Sequence, residues 1–267
     1  MIRLAVRVHR RQAELVLAEL LELAPSGVEE VEVSADVVEY AVYGAPGELP
    51  DVPALRAAAG GAYVDVRSEE IADDWADRWR SFHRPLTIGG RLTVRPPWEP
   101  PADTALDIVI DPGRAFGTGS HATTALCLEL LLDEPPGQSL IDLGSGSGVL
   151  AIVARRLGWG SVLALDHDPV AVQATLENAR RNRVQVQARR LDMLGEQVPE
   201  AELVVANVLS GPLVRWAAVQ ERMPARLVLG GLLVSEADAV HQAFARRGLR
   251  LRERRARGEW AALALRQ

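Results

Sequence analysis

The stretch that most constrains how this chain can fold is Ser139 to Arg156, SLIDLGSGSGVLAIVARR. Ser139 to Leu143 is a short apolar run carrying one carboxylate, Asp142; Gly144, Gly146 and Gly148 follow at every second position, and a helical apolar pattern begins at Val149. That order predicts a strand, a glycine loop and a helix. A loop that turns sharply and lets a ligand touch its backbone has no room for Cβ atoms, which is the reason to find glycine there. The same pattern also suits an ordinary tight turn, so other parts of the chain decide between the two.

Spacing narrows the ligand. A dinucleotide fingerprint puts its third glycine three positions after the second, where this chain has Val149. The D-x-G-x-G-x-G form is instead similar to the loop of S-adenosylmethionine-dependent methyltransferases, which have no pyrophosphate to hold. Asp166 closes the apolar run Ser161 to Leu165. It stands about twenty residues beyond Gly144, where a βαβ unit presents an acidic side chain to a bound ribose. Asp168 and Pro169 then suit the N-cap and first position of a helix over Val170 to Asn182, so Asp168 reads as structural and Asp166 as ligand-binding. His167 between them reads as a surface or cap residue. Glu202 to Ala206 is another buried strand and ends at Asn207. Ligands of parallel α/β sheets bind beyond the carboxyl ends of the strands, so Gly144, Asp166 and Asn207 are expected to converge.

At 267 residues the chain is long enough for two domains, one of them small. Its single cysteine, Cys127, excludes a disulfide framework and a thiolate metal cluster, and no metal is expected. The first residues, MIRLAVRVHRRQ, interleave charges with apolar positions, which fits neither a signal peptide nor a membrane span and makes the cytoplasm the expected location. Every basic residue is arginine, and the net charge of -6 is unevenly spread. Ala13 to Asp77 holds sixteen acidic residues against Arg56 and Arg67, a local net of -14. Such a segment disfavours nucleic acid and favours a basic partner, although a solvated acidic surface looks the same in sequence.

The N-terminal elements read as a strand over Ile2 to Val8, a helix over Ala13 to Leu23, and strands over Val28 to Ser34 and Val37 to Tyr43. A short helix over Ala54 to Ala59 and a strand over Ala62 to Val66 follow. This βαββαβ order predicts a small ferredoxin-like α+β domain. Glu69 to Phe82 predicts a connecting helix with Ile71, Trp75, Trp79 and Phe82 as its packing stripe. Beyond it come a hairpin around Gly89 and Gly90, a strand over Leu106 to Ile110, and the Gly- and Thr-rich block Asp111 to Thr124, whose composition marks a functional loop. Helices over Val214 to Met223 and Ala237 to Arg246 alternate with a strand over Leu227 to Val234, and a closing hairpin is expected from Leu249 to Leu265. The arginine-rich segments Asn178 to Arg190 and Arg246 to Arg257 read as solvated faces and leave an RNA substrate open.

Six blocks, DDWADRWRSFHRP, IGGRLTVRPPWE, DPGRAFGTGSHATT, IDLGSGSGVLAIVA, ALDHDP and NVLSGPL, together resemble, in order, the bacterial methyltransferases that modify ribosomal protein L11 of the large subunit. The resemblance covers the chain from Asp73 onward. It implies a class I methyltransferase domain over residues 85–267, Rossmann-like, with a mostly parallel seven-stranded sheet and an antiparallel edge. A substrate-recognition domain over 1–66 and a helical linker over 67–84 complete the implied organisation. It further implies S-adenosyl-L-methionine as cofactor, held by Thr124, Gly144, Gly146, Asp166 and Asn207. The place of Asn207 at a strand's carboxyl end beside the expected sulfonium also suits it to aim the reacting amine, with anchoring of the cofactor's methionine moiety as the alternative. The implied substrate is ribosomal protein L11, a basic protein, methylated on lysine ε-amines and the terminal α-amine. A monomer is expected because the sequence shows no obvious exposed apolar stripe, and the acidic segment and the charged first residues speak against nucleic acid and membrane as partners. Ser145 stands where that family commonly has cysteine and Ala122 where it has proline; both are small and leave the backbone role intact. An RNA or small-molecule methyltransferase, and a nucleoside-binding module without catalysis, are the rival readings.

Overall fold

The computed structural model describes residues 2–13, 16–17, 20, 28–34, 36–44, 49, 53, 56, 59–70, 84–111 and 122–267. The chain divides into two compact units, Met1–Phe82 and His83–Gln267.

In the first unit β1 (Ile2–His9), β2 (Glu29–Ser34), β3 (Val37–Gly44) and β4 (Tyr63–Glu70) form one sheet in the order β2-β3-β1-β4. All three neighbouring pairs are antiparallel. Leu4, Val6 and Val8 alternate along β1 and meet Val38, Tyr40 and Val42 of β3, and this apolar face packs against Ala13, Val16, Leu20 and Ala59. Of the helix expected over Ala13 to Leu23, residues 13, 16, 17 and 20 are described, and of that expected over Ala54 to Ala59, residues 56 and 59; all are helical, as is Pro53 just before the second. β4 runs past its expected end at Val66 and claims Glu69 and Glu70 from the expected connecting helix. Arg3 of the central strand stands opposite Glu69, and Ile2 opposite Glu70. Pairing along β1 thus outweighs the helix preference of two glutamates. The remainder of that helix, with Ile71, Trp75, Trp79 and Phe82, lies outside the described residues.

The second unit opens with the expected hairpin, β5 (Leu86–Ile88) and β6 (Leu92–Arg95), which β7 (Leu106–Val109) extends in parallel. The main sheet comprises β8 (Ser139–Leu143), β9 (Ser161–Asp166), β10 (Gln187–Arg190), β11 (Leu203–Asn207), β12 (Arg226–Leu233), β13 (Arg250–Arg257) and β14 (Trp260–Arg266). Its order is β10-β9-β8-β11-β12-β14-β13. The first five strands in that order are parallel, and β14 runs antiparallel between β12 and β13. This is the mostly parallel seven-stranded sheet with an antiparallel edge expected from the sequence.

Among the described residues five helices accompany the sheet: α1 (Ala122–Leu132), α2 (Val149–Leu157), α3 (Pro169–Arg181), α4 (Ser210–Val219) and α5 (Ala237–Ala245). Period-two alternation sends Leu203 and Val205 of β11 into one core with α1 and α2, and Val204 and Ala206 into the other with Leu213 and Trp216 of α4 and Phe244 of α5. Strand order reverses between β8 and β11, which makes their carboxyl ends the switch point where such sheets take ligands. Two departures from expectation have local causes. α4 starts at Ser210 rather than Val214, because Pro212 falls in the first turn, where its missing N–H has no helical partner to lose. β10 was not expected, since QARR carries no alternation; as an edge strand it needs none, and its arginines guard the open edge.

Candidate functional site

The loop after β8 takes the left-handed region at Gly144, φ 75°, and again at Gly148, φ 79°. A Cβ on Gly144 would stand 2.5 Å from Val208 Cγ2, and one on Gly148 would stand 2.8 Å from Thr175 Cγ2. Conformation and close approach both require glycine there. The N–H groups of Gly144 and Ser145 donate to the Leu165 carbonyl at 2.8 and 3.1 Å, which stitches the loop to the end of β9.

Gly148 is the N-cap of α2 and has no side chain with which to cap it. Asp142 supplies the missing acceptor from β8: its Oδ2 takes the Ala151 N–H at 2.9 Å, placing a carboxylate at a helix N-terminus. Its other oxygen is buried without a hydrogen-bond partner among the described residues. Burial pushes the Asp142 carboxyl up to about 7, against the pull of the Ala151 N–H and aided by the charge of Asp166.

Asp166 ends β9 with its carboxylate spread between two backbone amides. Oδ2 accepts from Gly146 N–H at 2.9 Å and Oδ1 from Asp168 N–H at 3.0 Å. Each oxygen keeps a lone pair, so the group can still accept from two hydroxyls. Asp168 caps α3 by accepting from the Val170 N–H at 2.8 Å, with Pro169 at the first helical position, as expected. The His167 ring is 82% exposed, which places it on the surface.

Asn207 ends β11, next to β8, with Ala206 paired to Leu143. Its Nδ2 donates to Thr124 Oγ1 at 3.1 Å, and its Oδ1 is buried with no partner among the described residues. Thr124 lies in the first turn of α1, itself buried. One amide is therefore held by its donor end while its acceptor end stays unspent.

The five residues singled out from sequence thus fall into two joined sets. Gly146 donates to the Asp166 carboxylate and Gly144 to the carbonyl of Leu165, the residue before it, and Thr124 is linked to Asn207. Val208, against Gly144, connects the two sets. Residues 112–121 of the Gly- and Thr-rich block lie outside the described residues. A glycine cradle, a carboxylate with free lone pairs and an unpaired amide oxygen fit a small ligand carrying hydroxyl groups and a positive or N–H-bearing centre.

Sequence reasoning missed the support beneath the loop. Thr175 and Asn178 of α3 and its C-cap Asn182 are buried; Thr175 and Asn178 bond to backbone of the loop, and Asn178 and Asn182 to backbone at and just beyond the end of β7. Their signal was present as inverted polarity: Val170 of the same helix is 48% exposed while these polar residues share the inner face with Ala171 and Ala179.

A family model described as ribosomal protein L11 methyltransferase (PrmA) matches residues 50–267. A ribosomal protein L11 methyltransferase of Heliobacterium modesticaldum is 39% identical over 203 residues, 73% of this chain and 64% of that protein. Another, of Burkholderia orbicola, is 36% identical over 273 residues, 91% of this chain and 90% of that protein. The matches thus span just under two thirds of the Heliobacterium relative and nine tenths of the Burkholderia one. Among solved structures, ribosomal protein L11 methylase from Lactobacillus delbrueckii subsp. bulgaricus superposes with a TM-score of 0.62 at 26% identity, covering 70% of this chain and 98% of that one.

Proposed function

The chain belongs to the ribosomal protein L11 methyltransferase family, and we propose that it transfers methyl groups from S-adenosyl-L-methionine to amino groups of ribosomal protein L11. When bound, that cofactor supplies an electrophilic methyl group on a sulfonium sulfur, which a neutral amine displaces in line. The observation that carries the reading is the Asn207 amide, oriented by Thr124 and left with a buried, unpaired Oδ1. An acceptor is what an incoming amine requires. Oδ1 accepts an N–H of the amine and aims its lone pair; holding the nucleophile in this way contributes several kcal/mol, up to about 7 to 11 in the most favourable intramolecular cases. A lysine amine with an ordinary pKa near 10.4 must first lose a proton, and desolvation at the site favours the neutral form. Asp166 accepts from the ribose hydroxyls, and Gly144 and Gly146 let the loop backbone lie against the cofactor.

Residues 1–70, which β4 closes, serve as the substrate-capturing domain, the segment that follows as a linker and 85–267 as the catalytic domain. The acidic segment Ala13 to Asp77, net -14, attracts a basic ribosomal protein over long range. Raising ionic strength is accordingly expected to raise the KM for the protein substrate and leave the KM for the cofactor unchanged. The enzyme acts as a monomer in the cytoplasm and needs no nucleic acid or membrane; among the described residues no helix is long and apolar enough to cross one. The amines modified are lysine ε-amines and the terminal α-amine.

An RNA substrate is not favoured by the arginine-rich edge strand. Arg252 pairs with Glu134, Arg254 with Asp238, Arg255 with Asp133, and Arg257 with Glu129. Cations already matched to carboxylates offer little to phosphates. The deciding experiment incubates the protein with methyl-labelled cofactor and ribosomal proteins, ribosomal RNA, or neither. Label is expected on ribosomal protein L11; label on RNA alone, or on nothing, overturns the proposal.

A further inference from the structure

On α3 the inner face carries amides and a hydroxyl where an amphipathic helix would place apolar side chains. Thr175, Asn178 and Asn182 are 0%, 2% and 7% exposed. Burying such groups is unfavourable unless each finds partners, and here the partners are backbone groups of segments far away in sequence. Thr175 Oγ1 donates to the Gly146 carbonyl at 3.1 Å and lies 3.1 Å from Ser145 Oγ. Asn178 Nδ2 donates to the Ser147 carbonyl at 3.0 Å and to the Asp111 carbonyl at 3.4 Å, while its Oδ1 accepts the Asp111 N–H at 2.9 Å. Asn182 bonds both backbone groups of Val109, at 2.8 and 2.6 Å, and the Asn178 carbonyl at 2.8 Å.

These three residues divide the work. Asn182 fastens β7 to α3 and touches no part of the glycine loop. Asn178 holds two things at once, the Ser147 carbonyl in the loop and Asp111, the first residue of the Gly- and Thr-rich block that ends at Thr124. Thr175 fixes the neighbouring carbonyl. Because a trans peptide is planar, fixing the carbonyls of Gly146 and Ser147 fixes the two peptide planes that follow them.

We propose that Thr175 and Asn178 are positioning residues of the cofactor site, holding the glycine loop in its binding conformation and, through Asn178, tying it to Asp111. The physical reason is the loop's composition. Three glycines in five residues give it more conformations to lose than any other segment of its length, so a loop not held in advance must be ordered by the ligand, at the expense of affinity. The inference rests on the reading of this loop as an S-adenosylmethionine site.

The test measures binding of S-adenosylmethionine and S-adenosylhomocysteine by calorimetry, thermal unfolding, and turnover at saturating cofactor. Asn178→Ala is expected to raise both Kd values about tenfold, from the hydrogen bonds lost and the loop freed, with kcat within about twofold of the unsubstituted protein. Asn182→Ala is the control, because it loses the same number of bonds from an equally buried amide. It is expected to lower Tm comparably with both Kd values unchanged. Thr175→Val keeps the side-chain volume and all the Asn bonds and is expected to raise Kd several-fold; it decides the matter if Asn178→Ala does not fold. Unchanged Kd in Thr175→Val or in folded Asn178→Ala overturns the proposal, as does an equal rise in Asn182→Ala, which would mean stability alone is at work. Absence of binding by the unsubstituted protein overturns the cofactor reading itself and this inference with it.

Discussion

At the carboxyl ends of β8, β9 and β11 the buried polar groups bind backbone amides or uncharged side chains and keep acceptors to spare, whereas at the amino ends of the same sheet arginines and carboxylates use one another up. Asp142, Asp166 and Asn207 stand at the first end, two of them with a buried oxygen that meets no donor among the described residues. At the second end Glu134 is buried and accepts from Arg252 at 2.7 Å, Arg226 at 3.1 Å and Arg266 at 3.2 Å. Arg226 also reaches Glu202 at 3.4 Å and lies over the Trp159 ring at 5.0 Å. Ion pairs of this kind tie the turn after α1 to β12, β13 and β14 and are internally matched. The amide-bonded end holds a shape and leaves chemistry undone. The two ends are therefore expected to fail differently when substituted, one in stability and the other in binding or turnover.

The sharpest test of that difference is Glu134→Ala. Removing one partner of a buried network leaves charges uncompensated, at about 3 to 5 kcal/mol; the lower figure applies here, because Arg252 and Arg266 are partly exposed and can turn to water. Urea unfolding is expected to show a loss of about 3 kcal/mol while the Kd for S-adenosylmethionine stays as it was. A parallel loss of affinity would mean the two ends are coupled and the division is wrong. Asn207→Ala is the converse. Turnover at saturating cofactor is expected to fall about 100-fold, equivalent to about 2.7 kcal/mol of barrier, with little change in Tm. Unchanged turnover at saturation would leave Asn207 as a cofactor anchor and remove it from the amine.

The same division explains what could be read from the sequence. The glycine loop, Asp166 and Asn207 were legible because each sits at the end of a short apolar strand, and topology alone then brings strand ends together. The cap formed by Asp168 and Pro169 was legible because it is local. Thr175, Asn178 and Asn182 were not, since polarity in a helix reads as exposure until the neighbouring backbone is known. The pairing of β13 was hidden for a related reason: Arg255 reaches Asp133, 122 positions earlier, and Arg252 reaches Glu134, 118 positions earlier. Sequence alone showed a row of arginines; the carboxylates opposite them came from the turn after α1, which only the fold brings near. β4 taught the reverse lesson, with two glutamates drawn into a strand by pairing with β1.

Asp142 offers the smallest and most specific test, because it belongs to the amide-bonded end yet carries an ionisable group. Burial raises its carboxyl to about 7, so between the ordinary carboxylate range and that value the folded chain holds a proton that the unfolded chain has released. Stability linked to this group is therefore greatest at low pH and is lost as pH rises through about 7. Between pH 6 and pH 8 the expected loss is about 1.4 kcal/mol. Asp142→Asn keeps an oxygen for the Ala151 N–H and cannot ionise, so its unfolding free energy is expected to lack that component of the pH dependence, and its advantage over the unsubstituted protein should grow from pH 6 to pH 8. Urea titrations of both proteins at each pH measure the difference directly. Identical pH profiles would show that Asp142 is already ionised at pH 6, that its unpaired oxygen is solvated, and that the loop end of the sheet is more open to water than its burial implies.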